Sequence, residues 1–205
     1  MTPETTESFR SFFRLRDLVG NAEPEAIFRA MASTAAFAFR QSQLPTWEND
    51  VLLAELQQST ALWMGLLCHL ATIDKSFFYL ARRMAAATLV KQEPLAMVYR
   101  RMAGTLLVSD PPVQSKPRIA RDVSMLIGVA VSQELGWMPT ETEKTGTMNR
   151  SGCGRMSELL QRRHEISVGY AAIEKVWKDR HTRLVEAGFS ECEVSDFFRM
   201  TSPMK

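Results

Sequence analysis

Apolar positions recur along this chain at the spacing of one helical turn, and the strict alternation of a half-buried strand is missing. Segments rich in Ala, Leu, Met, Arg, Glu and Gln are punctuated by capping residues and by proline or glycine stops. Thr2-Pro3-Glu4 opens a first predicted helix and Gly20 closes it. Asn21 and Pro24 start a second, carrying Phe28, Met31, Ala35 and Phe39 and ending before Pro45. Thr46 caps a long third, whose Leu56, Leu62, Leu66, Leu67 and Leu70 keep a broad apolar face. Asp74 caps a fourth to about Val90, and Pro94 starts a fifth that ends near Ser109.

The run Asp110-Pro111-Pro112-Val113-Gln114-Ser115-Lys116-Pro117 breaks the pattern. Three prolines lack the N–H and clash with preceding carbonyls, so this segment is the candidate hinge. A sixth helix is expected from Arg118 to Leu135 through Ile119, Val123, Leu126, Ile127 and Val131. A polar run to Gly154 follows, then three helices over about 155–164, 168–186 and 190–200. Ser190 and Glu193 have the spacing of a capping box, and Gly188 is the natural stop before them. The expected architecture is an all-α, multi-helix bundle of about nine helices. It divides into a helical body (1–136), a flexible connector (137–154) and a basic C-terminal unit of three helices (155–205).

Composition narrows the class further. Hydrophobic residues make up 45% and charged residues 23% of 205 positions, enough for a real core and against global disorder. Cys68, Cys153 and Cys192 are distant and odd in number, which favours reduced thiols and a cytoplasmic setting over a disulfide framework. The N-terminal stretch lacks the apolar region of an export signal. The most apolar run, Ala61 to Ile73, falls short of the roughly 20 residues of a membrane span, so no membrane association is expected.

Several chemistries find no support. Cys68-His69 sits on an apolar helix and reads as core, and His164-Glu165 lacks the second histidine of a zinc-protease motif, so no metal is expected. Ser151-Gly152-Cys153-Gly154-Arg155 places one thiol in a basic, exposed setting, but the glycines match neither a phosphate loop nor a dinucleotide fingerprint. No cofactor is called for, and the expectation is a non-enzymatic protein.

Charge distribution points elsewhere. Net charge is only +2, yet residues 144–183 hold nine Lys and Arg against four Asp and Glu. Such asymmetry marks where a polyanion could bind. Two arginine pairs recur 18 residues apart, Arg82-Arg83-Met84-Ala85 and Arg100-Arg101-Met102-Ala103, each preceded by a tyrosine. A solvated flank is one reading. The other is a track of four guanidiniums facing a phosphate backbone or an acidic partner.

The segment from Arg155 to Ile173 runs a short amphipathic helix, RMSELLQRRH, into an Ile-Ser turn and then a second helix beginning near Val168. It resembles a helix-turn-helix DNA-binding motif over about 20 residues, with Glu165 standing where the motif favours glycine and Gln161 where it favours a small residue. The resemblance implies that Ser167 caps the second helix and that Val168, Gly169, Tyr170 and Ala171 lie at the groove. Arg162, Arg163, Lys175 and Lys178 would then sit near phosphates, with Arg150 and Arg155 adding charge. The expected function is a nucleic-acid-binding protein, a regulator or a small subunit of a nucleoprotein complex, with DNA or RNA as partner. The alternative is a protein-interaction module, an adaptor or inhibitor with an apolar, methionine-rich partner surface or a homo-oligomeric contact. An enzyme with an unrecognised site stands third.

Overall fold

The computed structural model describes residues 2, 4, 6, 23–40, 60–90, 97–140 and 151–200. Among them the protein is all-α, with nine helices and no strand. In chain order these are α1 (Pro24–Arg40), α2 (Thr60–Ile73), α3 (Lys75–Val90), α4 (Met97–Val108), α5 (Pro117–Val131), α6 (Gly152–His164), α7 (Tyr170–Lys178), α8 (Arg180–Glu186) and α9 (Glu191–Met200). The agreement with about nine expected helices is partly fortuitous. The first expected helix lies almost wholly outside the described residues, and the one expected over 168–186 is two helices, broken at Asp179.

α5 is the centre. Every residue from Asp122 to Val131 is buried, so this helix is enclosed on all sides where its sequence promised a single apolar face. α1 lies along it, placing Ile27, Met31, Ala35 and Ala38 in the core at helical spacing. The approach is close because Gly128 has no side chain: a Cβ there would stand 3.1 Å from that of Met31 and 2.2 Å from Met156 Cε on α6. α6, α7 and α8 also pack on α5, and the buried apolar residues form one cluster that runs from Ile27 to Val194.

α2 and α3 meet at the buried Asp74, whose Oδ1 accepts from the Ser76 amide at 3.0 Å as the N-cap the sequence predicts. The proline-rich segment before α5 is fastened to this junction. The Lys116 amide donates to the Ile73 carbonyl at 3.1 Å, and the Ser115 hydroxyl donates to Asp74 Oδ2. His69 is buried against the ring of Phe189, centroids 4.3 Å apart, and Cys68 beside it is buried too, which makes this pair core as expected.

α5 ends at Val131, short of the expected Leu135, and turns lead to Gly136 at φ 76°. The expected connector is described only at its ends, where the Gly152 amide donates to the Met138 carbonyl at 2.7 Å and the Cys153 amide to the Pro139 carbonyl at 3.0 Å. α8 closes on Gly188 at φ 85°, where the Phe189 amide reaches back to the Leu184 carbonyl at 3.0 Å, a glycine-dependent helix stop. The capping box before α9 is formed: the Ser190 amide donates to Glu193 Oε2 at 2.7 Å and the Glu193 amide to Ser190 Oγ at 3.4 Å.

Candidate nucleic-acid interface

The helix-turn-helix-like pair is α6 and α7. α6 starts at Gly152 because Ser151 caps it, its Oγ accepting from the Gly154 amide at 3.1 Å. Its last turn carries Arg162, Arg163 and His164, a favourable placement at the negative end of the helix dipole. The helix stops at Glu165, which holds φ 55°, the left-handed conformation for which the motif favours glycine. The second helix begins later than expected. Gly169 is its N-cap with no side-chain cap bond, and Ser167 is exposed, so the expected Ser167 cap is not formed. The serine that does link the two segments is Ser157, whose hydroxyl donates to the Val168 carbonyl at 2.5 Å.

Of the residues expected at the groove, Gly169 and Ala171 are exposed, whereas Val168 and Tyr170 are half-buried against the core. The Tyr170 hydroxyl also lies 3.4 Å from Glu174 Oε1. Ile173, Val176 and Trp177 are buried and anchor α7 to the core.

Much of the cationic excess of this unit is compensated within it. Glu158 receives both Arg155, at 3.2 Å, and Arg162, at 2.8 Å, and Glu174 receives Lys178 at 3.1 Å. Arg180 lies over the Trp177 ring, 4.9 Å from its centroid, and donates to the Trp177 carbonyl at 3.0 Å; burial there draws its pKa below the ordinary value. Arg183, one of the nine cations counted over 144–183, is turned inward to the buried Asp122. Lys175 and Arg163 are exposed, and Arg162 and Lys178 keep 78% and 66% of their side chains in solvent despite their ion pairs. Exposed pairs of this kind contribute about 0–1 kcal/mol, so a phosphate can replace the carboxylate at little cost. Arg150 lies outside the described residues.

A second basic surface lies on α3 and α4. In both arginine repeats the two arginines, Arg82 and Arg83 or Arg100 and Arg101, are exposed, while Met84 and Ala85 or Met102 and Ala103 are buried. The two segments are therefore placed alike, on helices that pack against each other. Neither α3 nor α4 contains an acidic residue. Lys75 and Tyr79 are exposed on α3 as well, and the steps from 75 to 79 and from 79 to 82 and 83 are those of one helix face. That spacing is present in the sequence, where the larger charge excess over 144–183 overshadows it.

The Cys153 thiol corrects another expectation. It is buried, not exposed, and burial pushes its pKa up to about 12, so the basic surroundings do not activate it. Among the described residues no group of His, Cys, Asp or Glu could hold a metal, and no helix is long and apolar enough to cross a membrane. No known family, curated protein or solved structure matches this chain.

Proposed function

We propose that this is a non-enzymatic, helical nucleic-acid-binding protein that engages phosphates through two basic surfaces, one on α3 and α4 and one on α6 and α7. The observation that carries this reading is the exposed face of α3 with Lys75, Arg82 and Arg83, beside exposed Arg100 and Arg101 on the adjoining α4, where neither helix contains a carboxylate. Guanidiniums in that setting suit phosphate oxygens, which they bind in a bidentate fork. Tyr79, 54% exposed on the same face, gives an unpaired base a ring to stack on. The α6–α7 pair supplies Arg162, Arg163, Lys175 and Lys178 as the second set.

The test is fluorescence polarisation with short duplexes, single strands and RNA at two salt concentrations. Binding should weaken steeply with salt. For duplex DNA, each phosphate that a variant no longer neutralises should reduce the slope of log affinity against log salt by about 0.9. Replacing Arg82, Arg83, Arg100 and Arg101 together by glutamine should remove most of the slope, and replacing Arg162, Arg163, Lys175 and Lys178 should remove the rest. Absence of binding at low salt would overturn the reading. The protein-interaction alternative draws little from the methionines: Met31, Met84, Met102, Met125 and Met156 are buried, and Met138 alone among those with described side chains is exposed.

A further inference from the structure

A cleft of about 310 Å³ opens between α1 and α6, at the lower end of the roughly 300–1,000 Å³ typical of small-molecule sites. Its apolar walls are Phe28, Trp137 and Leu159. Phe28 meets the Trp137 ring edge-on, centroids 5.5 Å apart at 85°, which fixes the indole in place. Three guanidiniums stand around this wall. Arg155 lies 5.4 Å from the Trp137 ring centroid, and Arg29 and Arg162 complete the set. Two carboxylates oppose them: Glu25 pairs with Arg29, and Glu158 is shared by Arg155 and Arg162. One positive charge is left over.

We infer that this cleft binds a small aromatic carboxylate, its planar ring against Phe28, Trp137 and Leu159 and its single negative charge on Arg155 and Arg162. The shape and the charge each restrict the ligand. A fixed indole beside a guanidinium plane favours a flat ring over an aliphatic chain. The excess of one guanidinium suits a monoanion, and the planar fork of arginine matches a carboxylate. Glu158 pairs with both Arg155 and Arg162, at 3.2 and 2.8 Å, which gathers the two guanidiniums at one side of the cleft. The cleft shares Arg162 with the basic surface proposed on α6 and α7, but it does not rest on that reading, because its test contains no nucleic acid.

The experiment is calorimetric titration of the full chain, without nucleic acid, with benzoate, 4-hydroxyphenylacetate and indole-3-acetate. Their neutral amides and cyclohexaneacetate serve as controls. At least one aromatic acid should saturate the protein below about 10 mM, with its amide and cyclohexaneacetate at least about tenfold weaker. Arg155→Gln/Arg162→Gln should weaken that binding about tenfold with the circular dichroism spectrum unchanged, while Arg82→Gln/Arg83→Gln should leave it intact. The inference is overturned if none of the three acids saturates, if the amides bind equally well, or if binding survives Arg155→Gln/Arg162→Gln.

Discussion

The Nε of Arg183 on α8 lies 3.5 Å from Oδ2 of Asp122, a carboxylate with no exposed surface at the middle of the protein. Arg121 holds the other oxygen through Nε at 2.7 Å and a second nitrogen at 2.5 Å, and its own guanidinium lies over Phe39, 4.8 Å from the ring centroid. One buried acid thus ties two arginines and joins the C-terminal helices to the central one. Removing one partner of a buried pair costs about 3–5 kcal/mol, because the other charge is left in low dielectric. Since Arg121 stays in place and the Arg183 contact at 3.5 Å is not a hydrogen bond, Arg183→Ala should cost about 1–3 kcal/mol, below that range. Urea denaturation would measure it. Nucleic-acid binding per folded molecule should be unchanged, in contrast to the surface arginines.

Glu165 is the only described non-glycine residue at positive φ, at 55°. Its Cβ is crowded in that conformation, and the Ile166 amide, 3.0 Å from the Leu160 carbonyl, depends on it. Glu165→Gly should therefore stabilise the protein by about 0.5–1 kcal/mol, after allowance for the greater freedom of glycine in the unfolded chain. A β-branched substitution such as Glu165→Val should destabilise it. The pair of variants, compared by thermal melting, separates backbone strain from loss of the side chain, which both remove.

At Gly152 a Cβ would stand 2.1 Å from Ser132 Oγ and 3.3 Å from Val129 Cγ1. Ser132 is itself held, donating to the Val129 carbonyl at 2.7 Å, so it has little room to yield. Gly152→Ala should cost about 1–3 kcal/mol as an overpacked interior does. Combining it with Ser132→Ala removes the clashing oxygen, and the double variant should lose less than the two single variants together. Strictly additive losses, read by urea denaturation, would contradict a direct clash between the two positions.

Burial pushes the thiols of Cys68 and Cys153 from 9.0 up to about 12, while Cys192 is exposed. In native protein one thiol of the three should react quickly with an aromatic disulfide reagent, and all three should react in urea. The linkage has a definite sign. The unfolded chain releases these protons above its ordinary pKa and the folded protein does not, so stability is fully present below pH 9.0 and falls as the pH rises towards 12. A flat stability profile between those limits would contradict the burial of both thiols.

Sequence alone carried the helices and their stops. Asp74, Gly188 and the Ser190–Glu193 box act on amides and carbonyls within a few residues, so their geometry is local and readable in one dimension. The burial of Cys68-His69 followed for the same reason, since an apolar helix assigns its residues to the core. The break at Asp179 and the late start of α7 were not legible, because Val168 to Arg183 keeps one periodic pattern across both helices. What only tertiary structure decided is which charges face solvent. Arg183 and Arg162 read alike in the sequence, and their difference depends on Asp122 and Glu158 meeting them across the fold or along one helix. The exposed charge of α3 and α4 came to prominence the same way: a count along the chain weighs every cation equally, whereas the fold leaves all four arginines of the two repeats at the surface.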